Sequence, residues 1–257
     1  MDEGRERQAE DGRSRGAGEG RSRGVLYALG LGPGNPGLVT VRAAELLRRC
    51  PVVAFPVDRA GSPGRAYRTA APYLAEDRVE LPLRMPMTDH GPTLAAAWEH
   101  AVSAIAEHTA AGRDVAYLCL GDTLLYGSFG YLLSRYDGQI EVVPGVISPV
   151  AAASVIGVPL VEGREPLMVV PDGADLGLLR RALDLGGTVV LMKPSRLGAE
   201  GIALLEGSGA LSRAWVTVDV SLGTQRVFPV RAAAEIAALP YFSILTLLPA
   251  RRDGDRA

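Results

Sequence analysis

Three runs of strand type, at residues 25–31, 115–120 and 140–143, each stop abruptly at glycine or proline, and helical spacing resumes within a few residues of each stop. The stops are Gly32-Pro33-Gly34-Asn35-Pro36-Gly37, the segment from Gly121 to Gly127, and Pro144-Gly145-Val146-Ile147-Ser148. Short apolar strands alternating with helices at such intervals require parallel strands joined by right-handed crossovers. That topology gathers the loops at the strands' carboxyl ends on one edge of the sheet. The expected class is therefore α/β, with a ligand site where the three loops meet.

The rest of the chain extends this pattern. Residues 39–49 have Ala43, Leu46 and Leu47 on one helical face, and 51–57 reads as a second strand. A basic loop with a helical turn is expected over 61–72 and a short strand over 78–83. The clearest helix carries Leu94, Ala97, Trp98, Ala101, Val102 and Ile105, with Gly112 placed to end it. Helical spacing returns at 129–136 and, with small residues, at 149–156. Residues 158–166 mix proline, glycine and charges and read as a hinge. Beyond it, strands are expected at 167–170, 188–192, 214–220 and 243–248, with helices at 176–185 and 197–205. The expected organisation is a leader over 1–24, an N-terminal mainly parallel unit over 25–160, a C-terminal unit over 161–250, and a frayed tail over 251–257.

Composition excludes several classes. The chain has 257 residues, 47% of them hydrophobic, enough for one large core or two modest ones. No uninterrupted apolar stretch approaches the roughly 18 to 20 residues of a spanning helix, so no membrane partner is expected. The two cysteines, Cys50 and Cys119, each adjoin an apolar run and read as buried packing residues in a reducing compartment, which points to the cytoplasm. Residues 1–24 hold six Arg, six acidic residues and six Gly, which reads as a disordered leader. An RNA-binding tail is the other reading, but the acidic residues cancel the charge it needs, and a net charge of −2 gives no footprint for nucleic acid. His90, His100 and His108 are too dispersed for a metal motif.

The first glycine loop satisfies the G-x-G-x-x-G dinucleotide pattern and has Asp58 about twenty residues on. Such a loop works by aiming free backbone N–H groups at a pyrophosphate, and Pro33 and Pro36 have none. A rigid strand-to-helix turn and an oxidoreductase site both remain open on this loop alone.

The run Tyr27-Ala28-Leu29-Gly30-Leu31-Gly32-Pro33-Gly34-Asn35-Pro36 resembles the opening motif of the tetrapyrrole methylases. Cys119-Leu120-Gly121-Asp122-Thr123-Leu124-Leu125-Tyr126-Gly127-Ser128 is similar to that family's Gly-Asp-Pro loop, and Val142-Val143-Pro144-Gly145-Val146-Ile147-Ser148 to its third motif. Three further stretches resemble the subgroup that methylates carbon 20 of precorrin-2 or its cobalt-containing counterpart. These are Leu83-Arg84-Met85-Pro86-Met87-Thr88-Asp89 with Trp98, Tyr126-Gly127-Ser128-Phe129-Gly130-Tyr131-Leu132, and Leu191-Met192-Lys193-Pro194-Ser195-Arg196; the closing Pro240-Tyr241-Phe242-Ser243 agrees with them.

The resemblance implies a two-domain α/β class III methyltransferase fold, with a mainly parallel first sheet, a mixed second sheet and S-adenosylmethionine in the cleft, released as S-adenosylhomocysteine; it also implies a tetrapyrrole substrate and a homodimer. It marks Pro33, Leu120, Gly121, Asp122, Leu125, Ile147, Ser148, Met192 and Leu222 as cofactor positions, and Arg84, Met87, Tyr126 and Ser128 as substrate positions. Thr123 stands where the family has proline, so a looser loop is expected there. Pro56 stands where some relatives have an acidic residue, and no catalytic base is assigned. A tetrapyrrole carrier that has lost methyl transfer is the rival of another class.

In physical terms, Gly121 permits close backbone approach. Asp122 can hydrogen-bond the cofactor while offsetting its cationic sulfur, or else cap the following helix. Arg65, Arg68 and Arg84 are candidate partners for substrate carboxylates. Methyl transfer to an electron-rich ring carbon needs positioning more than an activated nucleophile.

Overall fold

The computed structural model describes residues 22–58, 60–85 and 91–250. The leader up to residue 21, Met87, His90 and the tail from 251 lie outside them.

The first half runs β1 (Leu26–Gly30), α1 (Val41–Arg49), β2 (Val52–Val57), α2 (Arg65–Ala70), β3 (Val79–Arg84), α3 (Pro92–Ala110), β4 (Val115–Cys119), α4 (Phe129–Leu133), β5 (Ile140–Val143) and α5 (Ser148–Ile156). Its strands form a five-stranded sheet in the order β3-β2-β4-β1-β5, and every pair is parallel. Both faces of β1 are covered, which is why its sequence reads as a continuous apolar run. Leu26 and Ala28 face one core with Trp98, Ile105 and Phe129, while Tyr27 and Leu29 face the other with Leu46, Leu47 and Phe55.

The second half runs β6 (Leu167–Val170), α6 (Leu176–Asp184), β7 (Thr188–Met192), α7 (Ala199–Gly207), β8 (Ala214–Val218), β9 (Arg226–Pro229), α8 (Ala234–Ala237) and β10 (Ser243–Leu247). Its sheet has the order β6-β7-β10-β8-β9, with β6 and β7 parallel and the remaining pairs antiparallel. A mixed second sheet is what the resemblance implies. The other face of this sheet receives α5, whose small Ala151 and Ala152 pack on Val190, Val220 and Ile244. The helix that leaves the first sheet is thus the floor of the second.

Local chemistry explains both ends of the stretch from α1 to α5. Thr40 caps α1 by accepting from Ala43 N at 3.2 Å, and Gly157 closes α5 in the left-handed conformation at φ 79°. One expectation needs correction: the helix placed at 129–136 stops at Leu133. The helical turn expected within the basic loop at 61–72 is α2, and β9 and α8 had no clear sequence signal. Among the described residues no helix is long and apolar enough to cross a membrane.

Candidate functional site

The carboxyl ends of β1, β4 and β5 are tied to one another. Gly32 N donates to Gly121 O at 3.1 Å and Gly121 N donates to Gly32 O at 2.7 Å, joining the first loop to the second. Asp122 joins the second to the third: its Oδ2 accepts from Gly145 N at 2.9 Å and its Oδ1 from Leu124 N at 2.9 Å. Asp122 is therefore no helix cap, since the residue preceding α4 is Ser128. Gly121 sits at φ 73° with nothing within 4 Å of where a Cβ would stand, so bare backbone faces open space.

A cavity of about 250 Å³ opens beside these ends, and eight of the nine positions marked for the cofactor line it. Pro33 comes from the first loop, Leu120, Gly121, Asp122 and Leu125 from the second, Ile147 and Ser148 from the third, and Met192 from the end of β7. Leu222 lies outside the wall. It instead packs on the first loop, where its Cδ2 would be 2.7 Å from a Cβ on Gly34.

Much of the remaining wall comes from α2 and from the strands and strand ends of the second sheet, through Arg65, Lys193, Thr217, Asp219, Tyr241 and Phe242. Of these, only Arg65 had been singled out in the sequence as a side chain with a role. Backbone strain marks the same place. Among the described residues, the non-glycine residues with positive φ are Tyr126 at 53°, Lys193 at 51°, Asp219 at 50° and Ser221 at 68°. The first three line the cavity, and Ser221 Oγ accepts from Asn35 N at 3.0 Å. Such conformations cost about 1–3 kcal/mol each and gather at functional sites.

Arg65 Nη2 lies 2.8 Å from Asp219 Oδ1, and the Arg65 guanidinium carbon stands 3.5 Å from the centroid of the Phe242 ring. Asp219 Oδ2 also accepts from Thr224 Oγ1 at 3.0 Å. Burial pushes the Asp219 carboxyl up, but the hydrogen bonds from Arg65 and Thr224 and the charges of Arg65 and Arg226 outweigh it and hold the group below its ordinary value. Thr217 is 1% exposed and its hydroxyl has no hydrogen-bond partner among the described residues. An unmet buried hydroxyl in a cavity wall favours a polar ligand atom by about 1–3 kcal/mol.

The substrate positions fare differently. Tyr126 lines the cavity, but its hydroxyl already donates to Val169 O at 3.1 Å. Arg84 ends the edge strand β3 and is exposed, and Ser128 precedes α4; neither reaches the wall. Arg68 donates from Nη1 to Pro63 O at 3.0 Å and is also absent from it. Thr123, where a looser loop was expected, is enclosed at 0% exposure.

The dinucleotide reading of the first loop fails on its donors. Asn35 N is engaged by Ser221, and Gly37 N by Asn35 Oδ1 at 2.8 Å, while Asp58 accepts from Ser62 N at 2.8 Å and is not in the wall. Both cysteines are free and buried, and burial raises both thiols, that of Cys50 to about 12. Among the described residues no group of three or more His, Cys, Asp or Glu side chains is placed to hold a metal ion.

Precorrin-2 C(20)-methyltransferase of a Sinorhizobium species is 37% identical, over 89% of this chain and 96% of that protein. Cobalt-precorrin-2 C(20)-methyltransferase of Salmonella typhimurium is 33% identical, over 86% and 94%. Cobalamin biosynthesis protein CobIJ of Mycobacterium tuberculosis is 36% identical over 88% of this chain, which spans only 46% of that longer relative. In fold, the chain is similar to a cobalt precorrin-4 methyltransferase structure with a TM-score of 0.69 at 18% identity, covering 87% of this chain and 94% of that one. It is also similar to uroporphyrin-III C-methyltransferase of Thermus thermophilus complexed with S-adenosylhomocysteine, with a TM-score of 0.62 at 24% identity, covering 88% and 97%. The tetrapyrrole (corrin/porphyrin) methylase family matches residues 25–235. With three motif loops meeting at one cavity and this match over most of its length, the chain belongs to the tetrapyrrole (corrin/porphyrin) methylases.

Proposed function

We propose that this protein transfers a methyl group from S-adenosylmethionine to carbon 20 of precorrin-2, or of its cobalt-bound counterpart, in cobalamin biosynthesis. The observation that carries the reading is the convergence of eight motif positions, from three loops and the second sheet, on one cavity. The relatives bearing the carbon-20 methyltransferase name, at 37% and 33% identity over nearly their whole lengths, support the choice of position.

The wall fits the cofactor. Leu120, Leu125, Ile147 and Met192 offer an apolar slot, Gly121 bare backbone, Asp122 a carboxylate, and Thr217 an unmet buried hydroxyl. When bound, S-adenosylmethionine supplies an electrophilic methyl group. The residues of this chain then have two tasks: holding donor and acceptor in register, and keeping water out of the space between them. The carboxylate of Asp122 also places negative charge in the wall, which favours a cationic ligand.

Anaerobic incubation with S-adenosylmethionine and precorrin-2, or cobalt-factor II, should raise the mass of the tetrapyrrole by one CH2, because the methyl group takes the place of a hydrogen that leaves as a proton. Its absence with both, alongside intact tetrapyrrole binding, would make the protein a carrier. In scanning fluorimetry S-adenosylhomocysteine should raise the melting temperature, and stabilisation by nicotinamide cofactors alone would overturn the reading. We also propose a homodimer acting in the cytoplasm; two buried free thiols suit a reducing compartment, and light scattering tests the oligomeric state.

A further inference from the structure

We propose that Arg65, Lys193, Tyr241 and Phe242 form the dock for the tetrapyrrole, and that on docking Arg65 exchanges the carboxylate of Asp219 for a carboxylate of the substrate. This rests on the reading of the chain as a methylase of such a macrocycle.

Tyr241 and Phe242 are 48% and 42% exposed, packed edge to face with centroids 5.1 Å apart, and both line the cavity. Two adjacent aromatic rings left in solvent at the mouth of a cavity form an apolar surface that a flat ligand would cover. Each ring carries a cation: the Arg65 guanidinium over Phe242 at 3.5 Å, and Lys193 Nζ 5.7 Å from the Tyr241 centroid. Apolar rings edged by cations complement a ligand that is flat and apolar at its centre and anionic at its periphery, which is the chemistry of a polycarboxylate macrocycle.

The present partner of Arg65 is suited to release it. Asp219 and Arg65 side chains are each 22% exposed, so water reaches the pair and exchange needs no deep desolvation. Asp219 keeps Thr224 Oγ1 at 3.0 Å and the nearby charge of Arg226 when Arg65 turns away. Among the described residues Lys193 has no ion pair, which leaves its charge for a second carboxylate. Asp219 is thus a competitor that holds the arginine fork at the mouth until an acidic substrate arrives.

The test is a fluorescence titration with uroporphyrin III, an octacarboxylic tetrapyrrole, on wild type and on Arg65→Met, Arg65→Lys, Lys193→Met, Phe242→Leu and Asp219→Asn. Loss of one charge-assisted contact weakens binding by roughly tenfold or more, so Arg65→Met and Lys193→Met are expected to do so, with partial recovery in Arg65→Lys. The decisive variant is Asp219→Asn, which removes the competitor and is expected to tighten binding by about threefold or more. Weakened or unchanged binding in Asp219→Asn overturns the exchange, and unchanged binding in the Arg65, Lys193 and Phe242 variants overturns the dock. The circular dichroism spectrum and the melting temperature without ligand are measured in every variant as the control for a folded chain. A wild type that binds neither S-adenosylhomocysteine nor uroporphyrin III overturns the underlying methylase reading, whereas one that binds both, with unaltered variants, overturns only this proposal.

Discussion

Both carboxylate oxygens of Asp122 accept backbone N–H groups, from Leu124 and from Gly145, so the residue acts on architecture before it acts on any ligand. Each oxygen retains a second lone-pair direction for a cofactor N–H or O–H. Asp122→Ala is accordingly expected to lower stability by about 1.5–3 kcal/mol, as charged hydrogen bonds do. That is roughly 3–12 °C in melting temperature for a chain of this size. It is also expected to abolish most of the additional shift given by S-adenosylhomocysteine. A full ligand shift retained on a lower baseline would assign Asp122 to loop tying alone. Asp219 makes a prediction in pH. Its carboxyl lies below the ordinary value in the folded protein, so its contribution is complete above the unfolded value near about 4 and is lost as pH falls through the folded one. Asp219→Asn should therefore melt below wild type at neutral pH, with the gap closing in acid; a gap independent of pH would show that the ionised pair contributes nothing.

At the scale of elements, the three strand-end loops differ in how much change they tolerate. A Cβ on Gly145 would stand 2.2 Å from Gly121 O and 2.6 Å from the Gly30 carbonyl carbon, both backbone atoms that cannot swing aside. Gly145→Ala is expected to cost more than about 3 kcal/mol and to reduce soluble yield. Gly121→Ala meets nothing within 4 Å, so only its left-handed φ resists, at about 1–2 kcal/mol. Urea midpoints of the two variants test the contrast; equal losses would mean that the loops do not pack as described. These loops were legible in the sequence because each is written in consecutive residues: an apolar run, a glycine or proline stop, a helix. Even Asp122 could be singled out, although its bond to Gly145 could not. β9 escaped because its four residues, Arg226–Pro229, mix charge and proline on an edge strand. The pairing of Arg65 with Asp219, and the place of Lys193 beside it, escaped for another reason. Arg65 and Asp219 are 154 positions apart, and the left-handed backbone of Lys193 and Asp219 leaves no trace in residue type. Arg84, by contrast, had the right chemistry in a motif segment but lies on an edge strand that does not reach the cavity.

Across the whole molecule, the two sheets are held to each other around the cavity. Asn35 N donates to Ser221 Oγ at 3.0 Å, Arg65 pairs with Asp219 at 2.8 Å, and the Tyr126 hydroxyl donates to Val169 O at 3.1 Å. α5 supplies the apolar part of the same junction. Each polar link joins a loop at a carboxyl end of the first sheet, or the adjacent α2, to a strand or strand end of the second. A ligand that touches both sides therefore tightens segments remote in sequence. Hydrogen exchange followed by mass spectrometry, with and without S-adenosylhomocysteine, is expected to show slower exchange at 121–127 and 144–148 together with 192–193 and 217–222. At 100 times its dissociation constant the ligand adds about 2.7 kcal/mol to global stability, so peptides that exchange only by global unfolding, such as those of β1 and β4, should slow by roughly a hundredfold. Protection limited to 121–127 and 144–148 would place the cofactor on the first sheet alone. Met192 and Thr217 would then be packing residues, and the cavity between the sheets would be left to the macrocycle.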